Sequence, residues 1–147
     1  MHSFIEKPPV QKTVQDLVKD LDKVFSHFIR LRDVKEQDLG NGYVSCCTCG
    51  FTNHWLKLDN GHFIDRKVYS VRWNEMNCNS QCKGCNKFKQ GNPRLYREFL
   101  VKKYGVAEVE KLELAEKLPS KLDRFALMVK IAEYKEKVAK LKKELGL

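Results

Sequence analysis

Two Cys-x-x-Cys pairs, Cys46 with Cys49 in SCCTCG and Cys82 with Cys85 in QCKGC, constrain this chain more than any other feature. Each pair offers two thiolates from one tight turn, and together they complete the tetrahedral four-sulfur set that suits Zn²⁺. A zinc ion with four protein ligands keeps no position for water, so this one is structural. It closes the long loop from Cys49 to Cys82 and fixes the segments at its two ends. The other two cysteines, Cys47 and Cys78, fall outside the paired spacing; each is either a substitute ligand or a small hydrophobe. Disulfides are the competing use of six cysteines. The chain shows no basic-then-apolar leader and no uncharged apolar run long enough to cross a bilayer. The expectation is a cytoplasmic protein with reduced thiols and no membrane partner.

Net charge is +9, and its distribution carries the information. Residues 1–40 hold seven basic and seven acidic groups, residues 57–104 eleven against four, and residues 105–147 ten against eight. The excess surrounds the thiolate module, where a nucleic-acid backbone would need neutralising. Arg66, Lys67 and Arg72 are the candidate phosphate clamp, and Lys83, Lys87, Lys89, Arg94 and Arg97 broaden the basic surface. Arg30 and Arg32 in IRLRD are further candidates, the alternative being an ordinary solvated helix end.

The chain reads as α+β in three parts. Residues 1–39 hold Pro8-Pro9 and then a helix over about Thr13 to Arg32, with Val14, Leu17, Val18, Leu21, Phe25, Phe28 and Ile29 on one apolar stripe. Residues 40–105 are the thiolate-braced core. Tyr43 to Ser45 is a short strand, and Gly50 suits the tight turn after Cys49. Trp55 to Leu58 and His62 to Ile64 are expected as hairpin arms around an Asp59-Asn60-Gly61 turn. An extended piece at Tyr69 to Trp73 precedes a loop from Asn74 to Gln81, a helix near Asn86 and a basic helix from Arg94 to Tyr104 that stops at Gly105. Residues 106–147 are a charged helical extension, Val106 to Leu118 and Lys121 to Leu145, broken at Pro119. Leu127, Ile131, Tyr134, Val138, Leu141 and Leu145 form a seam that serves a dimeric coiled coil or an intramolecular helix pair equally well.

With the zinc saturated, any catalysis needs a second centre. His62 is the candidate general base, because a neutral imidazole accepts a proton from water near pH 7. Asn86, directly after Cys85 at a helix start, offers an amide oxygen to a hard cation. Asp59 and Asp65 are the carboxylates near His62 in sequence, and Asn77 is placed to orient the imidazole through its carbonyl. A divalent cation held by such a set would stabilise the charge developing on a scissile phosphate.

These residues carry a family resemblance. GHFIDR, RWNEMNCNSQCKGCNKFKQGN, Tyr96, the upstream FSHFIRLRD and the Tyr104-Gly105 pair together resemble the NinG/Rap recombination proteins of lambdoid phages, within the HNH, or ββα-metal, endonuclease superfamily. The resemblance covers about residues 24–105. It implies a zinc-stabilised ββα-metal core and a nuclease that cuts branched DNA, including Holliday junctions, using Mg²⁺ or Mn²⁺. It casts His62 as the general base, Asn77 as the middle asparagine and Asn86 as the metal ligand that opens the helix. Arg66 borders the base. Related junction resolvases act as dimers, so a homodimer is expected. Many superfamily members carry Asp or His directly before the base, whereas Gly61 stands there; the missing ligand is then Asp65, Asp59, His62 itself, or substrate and water, with Asp65 favoured. An HNH nuclease or nickase of ordinary duplex DNA, and a non-catalytic zinc-dependent DNA-binding accessory protein, are the alternatives.

Overall fold

The computed structural model describes residues 5, 6, 8 and 10–147; Pro9 of the Pro8-Pro9 pair lies outside them. Helix α1 spans Val14–Gln37. It starts at Thr13, whose hydroxyl accepts from Asp16 N (3.1 Å) while the Asp16 carboxylate accepts from Thr13 N (3.0 Å). This reciprocal cap satisfies two of the donors that a helix start leaves open. The helix passes the expected end at Arg32 because Leu31 and Val34 are still core residues, and it stops only at Asp38 in a left-handed conformation.

Strands β1 (Tyr43–Ser45) and β2 (Thr52–His54) pair antiparallel, with the first thiolate pair in the turn between them. Cys46 N donates to Phe51 O (2.8 Å) and Gly50 N to Cys46 O (3.0 Å). That tight closure places Gly50 at φ +80°, where a side chain would be strained.

The next segment differs from the expected hairpin. Trp55–Lys57 is a 3₁₀ turn, and Asp59-Asn60-Gly61 belongs to strand β3 (Asp59–His62). Its antiparallel partner β4 (Cys78–Gln81) comes from the stretch expected as loop, with Gly61 opposite Asn79 and His62 opposite Cys78. Gly61 is there for space: a Cβ would run into the Gln81 side chain. Tyr69 to Trp73 is a run of turns and not a strand. A π-helical turn, Gly84–Phe88, follows β4, and α2 (Pro93–Tyr104), α3 (Val106–Ala115) and α4 (Arg124–Leu145) complete the chain.

One core is built from α1, the strands and α4. Helices α1 and α4 run side by side in the same direction, as Phe25 against Tyr134 (ring centroids 4.9 Å, edge to face) and Lys35 against Glu144 show. The Leu127–Leu145 seam is thus spent within the chain, its Leu127, Ile131, Tyr134 and Val138 buried against α1. A second cluster joins Ile64, Val71, Tyr96, Leu100, Val109 and Leu112 beneath α2 and α3. Tyr96 links this cluster to β3, its hydroxyl donating to Gly61 O (2.7 Å) and accepting from Asn79 Nδ2 (3.2 Å). Among the described residues, no helix is long and apolar enough to cross a membrane.

Candidate functional site

The β1–β2 turn and the start of the π-helical turn bring Cys46, Cys49, Cys82 and Cys85 together, with one sulfur from each lying within 4.8 Å of the others. Cys49 and Cys82 are 3.6 Å apart. Four sulfurs at zinc-bond length define a tetrahedron with edges of about 3.8 Å, so the cluster fits a metal such as zinc after small adjustments. Cys85 N points to Cys82 Sγ (3.4 Å) and Asn92 Nδ2 to Cys85 Sγ (3.8 Å), donors that suit thiolates. Burial opposes ionisation of Cys46, but hydrogen bonds from Thr48 and from backbone amides in the two turns overcome it and bring its pKa to about 6. Burial pushes Cys82 up to about 12 and raises Cys49 as well. Cys47 and Cys78 stand outside the cluster, and burial raises both thiols. They act as small hydrophobes; Cys78 is fully buried in the main core.

Behind the cluster, β3, the turn after it and the π-helical turn enclose a cleft of about 620 Å³ lined by His62, Asp65, Arg66, Lys67, Asn86 and Gln90. An adjoining recess shares His62, Arg66 and Asn86 and adds Asp22 and Ser26 from α1, Asp59, and Lys87. His62 Nε2 lies 2.9 Å from Arg72 O. A carbonyl only accepts, so Nε2 carries the proton and the Nδ1 lone pair is the one left for chemistry. Burial lowers the His62 pKa, against the Arg72 carbonyl and Asp22, which raise it.

The orienting group is therefore the Arg72 carbonyl and not Asn77. Asn77 is fully buried and holds the loop after β3: its Oδ1 accepts from Ile64 N (2.8 Å), and its Nδ2 donates to Ile64 O and Val71 O (both 3.1 Å). Asn86 donates through Nδ2 to Asp59 Oδ2 (3.1 Å), which leaves its Oδ1 for other partners. Asp59 also accepts from Lys83 (2.7 Å); burial disfavours its charge, but Lys83 and Asn86 hold its carboxyl below the usual range. Asp65 is exposed at the mouth, one oxygen capping Lys67 N (2.8 Å).

Three arginines expected at phosphates are placed otherwise. Arg30 is buried, stacks on Trp55 and donates to Trp55 O (3.0 Å) and Leu58 O (3.1 Å), anchoring the 3₁₀ turn to α1. Arg32 pairs with Asp33 (2.8 Å) and donates to Glu75 O, Cys78 O and Asn79 Oδ1. Arg72 is clamped by Asp22 and donates to Arg66 O. Each is spent on backbone carbonyls of neighbouring segments rather than left free for a phosphate. Arg97 is paired with Glu113 (2.8 Å) and Arg94 lies near Glu98 (3.6 Å), both on α2. Arg66, Lys67, Lys87 and Lys89 are the exposed cations at or beside the cleft. Arg32→Ala is accordingly expected to lower unfolding free energy by about 3 kcal/mol, because it strands the buried Asp33 carboxylate. Urea unfolding measures this, and an unchanged midpoint would remove the structural assignment.

The α1 wall leaves little trace in the sequence. Asp22 and Ser26 lie one helical turn apart on the flank of the apolar stripe, and only that i, i+4 polar pair hints that α1 faces a cleft. Asn60 is a further lining residue, and its Oδ1 is buried without a partner among the described residues.

Fold and site together define a small α+β protein in which a four-cysteine cluster able to hold a metal gathers two short sheets beside a basic cleft. The family described as Bacteriophage Lambda NinG protein matches residues 5–144, and the chain belongs to this family. Protein ninG of Salmonella phage P22 is 31% identical over 126 residues, covering 85% of this chain and 57% of that protein. Protein ninG of Escherichia phage lambda is 33% identical over 97 residues, covering 65% and 43%. The chain thus spans about half the length of these relatives. No solved structure matches it significantly.

Proposed function

We propose that this NinG-family chain is a metal-dependent DNA endonuclease of the HNH type, hydrolysing phosphodiesters in branched recombination intermediates such as Holliday junctions. The observation that carries the reading is His62, its Nε2–H fixed on the Arg72 carbonyl at 2.9 Å and its ring lining a cleft with Asn86 and exposed cations. The order β3, β4, π-helical turn supports it as well, since His62 ends the first strand and Asn86 lies on the turn after the second.

His62 Nδ1 takes the proton from a water as its oxygen bonds to phosphorus, the bond from phosphorus to the 3′ oxygen breaks, and that oxygen is protonated from solvent. Arg66 and Lys67 hold the flanking phosphates. Asn86 Oδ1 and the exposed Asp65 are the groups suited to Mg²⁺ or Mn²⁺; Asp59, committed to Lys83, is less so. Such an ion, when bound, supplies positive charge to the phosphate oxygens in the transition state. Symmetric resolution needs two such centres, so two copies on one junction are part of the proposal.

The closed state of Asp59 favours a second reading, a zinc-dependent DNA-binding accessory protein in which the cleft holds DNA without cutting it. Cleavage of a four-way junction, a matched duplex and single-stranded DNA over a Mg²⁺ titration separates them. The nuclease reading expects the junction to be cut, and Asn86→Ala to need about tenfold more Mg²⁺ while binding the junction nearly as well. Binding without cleavage at any Mg²⁺ concentration supports the accessory role, and equal cleavage of junction and duplex supports an ordinary duplex nuclease.

A further inference from the structure

Resting on the DNA reading above, the geometry points to Phe88 as a stacking platform for a nucleobase exposed where the DNA stack is broken. Phe88 is 86% exposed, more than any other aromatic side chain among the described residues. A phenylalanine left in water gains free energy as soon as something covers it, so the question is what does.

The ring stands at the end of a stiff turn. The preceding Cys85 is 2% exposed and belongs to the sulfur cluster, and Gly84–Phe88 is closed by Lys89 N to Gly84 O (3.1 Å) and Gly91 N to Cys85 O (2.9 Å). The ring is thus presented by the same turn that holds Asn86. Asn86 and Gln90, two residues to either side, both line the cleft with His62; Phe88 is carried on the same turn but outside that lining, projecting into solvent beside the cleft.

Its neighbours identify the occupant. Lys87 and Lys89 are exposed and have no ion-pair partner among the described residues, whereas Lys83 on the same turn is paired with Asp59. An apolar protein partner would have to bury or displace these ammonium groups at the core of its interface, where charges are depleted. A DNA strand meets both demands: its phosphates pair with the lysines and a base covers the ring. In a continuous duplex every base is already stacked on both faces. Phe88 gains a partner only at a branch, a bulge or a strand end, so it would distinguish interrupted DNA from a continuous helix.

Fluorescence anisotropy of the full chain, without added Mg²⁺ so that nothing is cut, tests this with three labelled probes: a four-way junction, a duplex with one extrahelical base, and a continuous duplex. Phe88→Ala is expected to weaken binding to the first two by about tenfold and to leave the continuous duplex nearly unchanged, and Phe88→Trp to restore the loss. Unchanged thermal melting of both variants shows that they fold. Equal loss on all three probes, no loss on any, or failure of Trp to restore binding overturns the proposal. A wild-type chain that binds none of the probes overturns it together with the DNA reading. A wild-type chain that shows the Phe88 pattern but never cuts removes only the nuclease reading.

Discussion

Stripping the metal, or replacing Cys46 or Cys85 by serine, is expected to unfold the thiolate module and not merely to slow turnover. The four sulfurs already approach tetrahedral spacing, yet they come from turns far apart in sequence, and among the described residues two short antiparallel ladders are the only sheet structure that surrounds them. Apparent zinc contributions of about 10–16 kcal/mol are found in small zinc domains, and the α1–α4 core lowers the dependence here without removing it. Elemental analysis should return one zinc per chain, and chelation should lower the melting temperature. Ligation also sets a pH direction. Cys82 and Cys49, both raised by burial, must lose protons to bind, so uptake releases protons. Retention of the metal therefore weakens as pH falls, because protons compete with it for the same sulfurs. A folded, zinc-free chain with paired disulfides would remove this assignment.

Loss of the imidazole should have the largest effect on activity. His62→Ala is expected to reduce junction cleavage by about 10²- to 10⁴-fold, the usual range for a positioned general base, while junction binding stays close to wild type. Burial lowers the His62 pKa from the ordinary 6.5, so the neutral base predominates at neutral pH. The acid limb of the rate profile therefore lies below pH 6.5, with activity present above it and lost as pH falls through the folded-state pKa. The stability contribution has the same sign, since a histidine that folds in its neutral form costs more to bury as it becomes charged. Single-turnover rates across pH measure the limb, and undiminished cleavage by the alanine variant would show that the base lies elsewhere.

What could be read from the chain alone followed local rules. The two Cys-x-x-Cys pairs announce a four-sulfur centre because ligand spacing is a covalent property of a tight turn. The apolar stripes of α1 and α4 announce helices because their period is local, although α1 runs on to Gln37 and α4 starts at Arg124, not Lys121. Asp59-Asn60-Gly61 misleads because glycine has two uses. In turns it supplies positive φ, but here Gly61 supplies clearance for Gln81 across the β3–β4 ladder, a contact invisible before the strands are paired. The same clearance explains why no ligand can precede His62. Arg30, Arg32 and Arg72 read as phosphate contacts because the sequence gives their charge but not the carbonyls they meet. Only the folded chain shows Leu58 O, Cys78 O and Arg66 O turned toward them. Asp22 carries no such signal for a similar reason, since it becomes part of the cleft only once α1 lies along β3.

The side-by-side course of α1 and α4 also governs how the protein comes into being. Lys35 and Glu144 meet across a separation of 109 residues. During synthesis, the stripe of Leu21, Phe25 and Phe28 leaves the ribosome long before Tyr134 and Val138 exist to cover it. For that interval the nascent chain carries an open apolar face, which is when long-range topologies fold slowly and stick to one another. The Cys49-to-Cys82 loop can be closed by metal well within it, so the thiolate centre is positioned to form first and to wait for α4 to arrive.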